Sequence, residues 1–84
     1  TMTTTSDAHM LAQFGQKVSE IQAELAGFAG KVTNGFPDSC DTPTAKQVFE
    51  QAGRLSALLK QCAELAGQTG AVAKQEASRI QGGG

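Results

Sequence analysis

The sequence predicts an all-α fold: an antiparallel helix-turn-helix hairpin that pairs into a four-helix bundle dimer. Three observations carry that expectation. Leu11, Phe14, Val18, Ile21, Leu25, Phe28 and Val32 follow one another at alternating steps of three and four, which places them on one narrow stripe of a helix turning every 3.6 residues. A run of turn residues then leads into Thr42-Pro43, a start signal for a second helix. Finally, alanine, glycine, glutamine and leucine dominate, with no tryptophan or tyrosine and only four phenylalanines. Such a composition suits closely packed helices better than strands, which favour β-branched and aromatic residues.

The first helix is expected over residues 6–33. Ser6 or Asp7 can cap its free N–H groups. Asn34-Gly35 is expected to close it, glycine accepting the left-handed conformation common at helix ends, and Pro37 cannot continue it. Residues 34–42 read as the turn, with Gly35, Pro37, Asp38, Ser39 and Asp41 all favouring a loop and Gly35, Phe36 and Pro37 forming the hairpin corner.

The second helix is expected over residues 43–81. Thr42 supplies the cap, and Pro43 sits in the first turn, where its missing N–H costs nothing. Its seam reads Val48, Ala52, Leu55, Leu59, Cys62, Ala66, Thr69, Ala73, Glu76 and Ile80, again at steps of four and three. A flanking row of Leu58, Leu65 and Val72, with Phe49 near its start, widens the apolar face beyond what one partner helix needs. Glu50 with Arg54 and Lys60 with Glu64 can pair on the outer surface. Residues 82–84 form a flexible glycine tail, and residues 1–84 form one domain.

At about 1.5 Å per residue the helices span roughly 40 Å and roughly 55–60 Å, so the second should overhang the first beyond about Gly70. Gly15, Gly27, Gly30, Gly53, Gly67 and Gly70 fall inside the helices, each costing about 1 kcal/mol relative to alanine. Overhang, excess apolar width and glycine cost together predict a partner, in a homodimer or in a heterodimer with another small helical protein. Phe49, Leu58, Leu65, Val72 and Ile80 are the expected interface.

Other functions find little support. A net charge of −1 leaves no electrostatic footprint for nucleic acid. No apolar run approaches a membrane span, and the N-terminus lacks the basic and apolar segments of a secretory signal. The protein is therefore expected either to leave the cell by a signal-peptide-independent route or to stay cytoplasmic. Thr1 before Met2 and the His9-Met10 pair resemble vector remnants, and residues 82–84 resemble a linker stub, so no function is placed on them.

Cys40 and Cys62 are too few and too far apart for a zinc pattern. Cys62, among Leu58, Leu59 and Leu65, is expected to be a buried free thiol, and Cys40 an unpaired loop thiol able to cross-link only in an oxidising compartment. Asp38 and Asp41 beside Cys40 work against its use as a nucleophile. His9 has no catalytic partner beyond a loosely placed Ser6. Glu20 and Glu24 share a helix face, but the Glu-x-x-His motif of di-iron bundles is absent, as is a phosphate-binding glycine loop. The expectation is a non-enzymatic protein with no catalytic residue, cofactor or metal.

With its hairpin turn Asn34-Gly35-Phe36-Pro37-Asp38-Ser39 and the segment Ala45-Lys46-Gln47-Val48-Phe49 followed by Leu55 and Leu59, the chain resembles the WXG-motif (ESAT-6-like) proteins of type VII (ESX) secretion. Those are short, signal-less helical hairpins that pair into four-helix bundles. The resemblance implies that Phe36 takes the place of the family's tryptophan, although no glycine stands two positions later. The family's export signal, a tyrosine four residues before an acidic residue, is missing, since the chain has no tyrosine and Val72 to Glu76 keeps only the spacing. In heterodimeric pairs one member commonly carries the signal for both, which leaves this chain the place of a substrate or of its dimer partner. The competing expectation is an intracellular helical adaptor or chaperone-like protein that binds a client helix.

Overall fold

In the computed structural model the chain is an all-α helical hairpin of two long helices, α1 (Met2–Gly35) and α2 (Pro43–Gln81). The structure describes residues 2–37 and 40–82, and side chains from residue 6 onward. The rod measures 65 × 14 × 13 Å, the width of two helices side by side.

The start of α2 follows directly from its sequence. Thr42 has extended backbone angles, and its hydroxyl accepts a 3.1 Å hydrogen bond from the Ala45 N–H, with Pro43 next to it in the first turn. At the other end the Gly82 N–H donates to the Ser78 carbonyl at 2.8 Å.

The boundaries of α1 differ from expectation. The helix begins at Met2, so neither Ser6 nor Asp7 caps it, because nothing before them breaks the backbone ladder. Ala8, within the segment that resembles a vector remnant, is fully buried. Gly35 remains the last helical residue and takes no left-handed conformation. What stops the helix is Pro37, whose ring disfavours helical geometry at Phe36.

Small residues make the contact between the helices. Ala8, Gly15, Val18 and Ala29 on α1 and Ser56, Ala63, Gly70, Ala73 and Ala77 on α2 are buried, and no large side chain is fully buried. Gly15 and Gly70 mark the closest approach. A Cβ on Gly15 would lie 3.0 Å from the Gly70 carbonyl oxygen, and one on Gly70 would lie 3.0 Å from the Gly15 carbonyl oxygen. Nearby, a side chain on Gly67 would strike the Gln22 amide. These three glycines are therefore accounted for within one chain, where a side chain would force the backbones apart. A side chain added at Gly27, Gly30 or Gly53 would meet nothing within 4 Å, and nothing in the structure explains those glycines. Gly53→Ala should accordingly raise stability by about 1 kcal/mol through helix propensity alone, read as a higher midpoint in urea with an unchanged slope.

One polar cluster punctuates the seam. The Ser56 hydroxyl, buried on α2, donates to the Ala29 carbonyl of α1 at 3.1 Å, the Thr33 hydroxyl donates to the same oxygen at 3.1 Å, and the two hydroxyls lie 3.0 Å apart. Ser56 is thereby satisfied, as a buried hydroxyl must be.

The overhang lies at the other end of α2 from the one expected. Gly70, Ala73 and Ala77 are covered by α1, because Gly70 sits beside Gly15 and α1 continues back to Met2. The projecting part is instead the start of α2, where Thr44, Lys46, Gln47 and Val48 are exposed. The register explains this: Phe36, just past the end of α1, packs its ring against Phe49 rather than against the first turn of α2.

Candidate functional site: an open apolar face

The expected seams are each split by the structure. On α1, Leu11, Val18, Leu25 and Val32 are buried or half-buried, whereas Phe14, Ile21 and Phe28 are exposed. On α2, Ala52, Leu59, Ala66, Ala73 and Ile80 turn inward, but Val48, Leu55, Cys62 and Thr69 are exposed. Their expected place in the contact is taken by Ser56, Ala63, Gly70 and Ala77, one residue further on.

A single geometric rule organises what remains outside. Met10, Phe14, Ile21 and Phe28 on α1, and Val48, Leu55, Leu58, Leu65 and Val72 on α2, are all exposed. Each stands one residue before a position on the line of contact, and so about 100° around its helix from the partner. Because the helices are antiparallel, that same rotation carries both sets to the same side of the hairpin. An open groove of about 530 Å³ shows this directly, with Leu11 and Phe14 of α1 and Leu65 and Val72 of α2 among its walls. The groove continues past Met10 and Ile80 toward the free end.

Nine of the ten exposed large apolar residues thus form one face, on which Leu65 is 63% and Phe14 51% exposed. An apolar surface of this extent on an isolated chain marks a site of association. The opposite side carries residues such as Ala26, Lys60, Lys74 and Ser19, and there the Lys74 ammonium donates to the Ser19 hydroxyl at 3.1 Å.

Of the residues expected to form the interface, Leu58, Leu65 and Val72 lie on this face. Phe49 and Ile80 do not belong with them. Phe49 stands at the corner, its ring 5.2 Å from that of Phe36 and inclined by 65°, an edge-to-face pair. Ile80 is half-buried on the contact line near the free end. Gly35 ends α1, Phe36 lines a small cavity with Val32, Phe49 and Ala52, and Pro37 is exposed. Sequence reasoning missed Met10, Phe14, Ile21, Phe28, Val48 and Leu55 as surface residues. The signal that could have found them is the second heptad row of small residues beside each large one, Gly15 and Ala29 on α1 and Ser56, Ala63, Gly70 and Ala77 on α2.

Both cysteines are free and exposed. Cys62, expected to be buried, lies instead between Leu58 and Leu65 on the open face, because Ala63 occupies the inward position beside it. Asp38 and Ser39 of the turn lie outside the described residues, as do Thr1, Gly83 and Gly84.

Charge bounds the face at its free end. Arg79 donates two hydrogen bonds to the Glu76 carboxylate, at 2.7 and 2.6 Å, and these are the main cause holding that carboxyl below the usual glutamate range. The expected pairs Glu50 with Arg54 and Lys60 with Glu64 are not formed; among the described residues the one ion pair is Glu76 with Arg79. Exposed long side chains gain too little from such pairing to offset their lost freedom. For Glu76 the folded state favours the charged form, so the pair's contribution is present above the ordinary glutamate range and lost as pH falls through the lowered value. An NMR titration should place the Glu76 midpoint below that of a free glutamate, and Arg79→Ala should return it to the ordinary range.

Among the described residues no three His, Cys, Asp or Glu side chains gather as metal ligands, and no helix is long and apolar enough to cross a membrane. Comparison with family models, curated proteins and solved structures returns no match. The fold and the open face therefore define the class, an amphipathic all-α hairpin with one uncovered apolar side.

Proposed function

We propose that this chain is a non-enzymatic protein-interaction module that completes a four-helix bundle with another small helical protein. Within that class it acts as a WXG-like substrate of type VII secretion or as the dimer partner of one. The observation that carries the reading is the placement of nine large apolar side chains on one open side while small residues make the hairpin's own contact. Burying such side chains contributes about 1.5–3 kcal/mol each, so the larger part of the apolar driving force is left for a partner. Phe36 against Phe49 at the corner supports the WXG-like part of the reading, since an aromatic ring there braces the two helices where that family places its tryptophan.

The secretion reading is tested by export. The protein should accumulate in culture medium only when the type VII ATPase is intact, and its absence from the medium of the intact strain sinks that reading. The lack of any tyrosine favours a second reading, an intracellular adaptor whose groove takes a client helix. In that case a pull-down recovers a larger cytoplasmic client through the open face, and recovery of only a short hairpin protein counts against it.

A further inference from the structure

The order of residues on the open face is nearly palindromic. Along α1 the exposed row reads Phe14, Ile21, Phe28, the same in either direction about Ile21. Along α2 the facing row reads Leu58, Leu65, Val72, close to the same in either direction about Leu65. The two centres share one level of the rod. Gly15 lies beside Gly70, the Ala29 carbonyl beside Ser56 and Phe36 beside Phe49. By that register Phe14 stands level with Val72, Ile21 with Leu65 and Phe28 with Leu58, and the groove walled by Phe14, Leu65 and Val72 agrees.

A surface whose two rows are each symmetric about the same level is self-complementary under a two-fold axis crossing the rod at that level. We propose that the open face is covered by a second copy of this chain, turned end for end about a two-fold axis through the level of Ile21 and Leu65. The proposal rests on the partner-binding reading above and names the partner. Three layers result. The central one gathers Ile21 and Leu65 from both copies, and each outer layer sets Phe14 and Val72 of one copy against Phe28 and Leu58 of the other.

Charge agrees with this register. Lys17 and Glu24 border the α1 row, in the same heptad position as Met10. With α1 running antiparallel to its copy about Ile21, Lys17 of each chain falls within about 1.5 Å along the axis of Glu24 in the other, giving two equivalent ion pairs. Turning the copy about the long axis of the rod instead would set the α1 rim beside Arg54, Gln61 and Gln68 of α2, which offer Lys17 no carboxylate.

The test uses the whole purified chain, with sedimentation equilibrium for mass and circular dichroism for helicity. The wild type should be a dimer. Ile21→Asp, which places two carboxylates at the axis, should give a monomer that keeps its helicity, since Ile21 is exposed within the hairpin. Lys17→Glu should weaken the dimer roughly three- to tenfold, and adding Glu24→Lys should restore it. In a Cys40→Ser, Cys62→Ser background, Phe14→Cys should form a disulfide with a chain carrying Phe28→Cys and not with itself. A wild type that stays monomeric, a dimer unchanged by Ile21→Asp, or self-linking of Phe14→Cys overturns the proposal. A monomeric wild type that binds a different short hairpin protein, with Ile21→Asp abolishing that binding, overturns the second copy while leaving the partner-binding reading in place.

Discussion

Leu59→Asp and Leu65→Asp, six positions apart on one helix, should fail in opposite ways. Leu59 is half-buried between the helices, where an aspartate must shed water without gaining a cationic partner. A loss of several kcal/mol is expected, large against the few that a hairpin of this size holds in total, and the helical signal should collapse at room temperature. Leu65 is 63% exposed on the open face, so an aspartate there stays hydrated in the hairpin and becomes costly only when a partner covers it. Leu65→Asp should keep its helicity under conditions in which the hairpin alone is folded, but lose association by two orders of magnitude or more, about 3 kcal/mol or above. Circular dichroism beside sedimentation separates the two outcomes. Equal loss of helicity in both variants would remove the distinction between the inner seam and the open face.

Gly70→Leu should be the most damaging uncharged substitution in the chain. Leucine is a far better helix former than glycine, and at an exposed helical position the change gains about 1 kcal/mol. At Gly70 even a Cβ would lie 3.0 Å from the Gly15 carbonyl oxygen and 3.1 Å from the Ser19 hydroxyl oxygen. Those atoms belong to the backbone and first turn of the facing helix, which cannot swing aside as a long side chain can. The helices must separate, and the neighbouring contacts at Val18 and Ala73 go with them. A net loss of about 3 kcal/mol or more is expected, measurable as a lower denaturation midpoint. Gly53→Ala, with open space around it, should shift that midpoint the other way. Opposite signs at two helical glycines would show that close approach, not propensity, decides where glycine is required.

The local structure of this protein was largely legible in its sequence. Thr42-Pro43 announces the start of α2 through chemistry that needs no tertiary partner: a hydroxyl to accept the Ala45 N–H, and a ring that has no N–H to lose. The heptad spacing announces long amphipathic helices. The start of α1 was less legible, since Ser6 can cap a helix but does not oblige one to begin. The candidate site was legible in part. The row of Leu58, Leu65 and Val72 stands out from its spacing, while Phe14, Ile21 and Phe28 look like half of the hairpin's own seam.

That last ambiguity separates the two levels. By itself the sequence determined two helices, a corner between them and apolar residues in heptad rows. The repeat places two such rows side by side on each helix, large residues on one and small ones beside it, and spacing alone cannot say which faces inward. Only the tertiary structure decided it. Where Gly15 meets Gly70 the backbones come close enough for the rows of Ala, Gly and Ser to interlock. At that separation no room remains between the helices for Phe14, Ile21, Phe28 and their counterparts on α2. The distance between two helix axes is a property of the pair, and it is what turns the largest apolar side chains of this chain toward a partner.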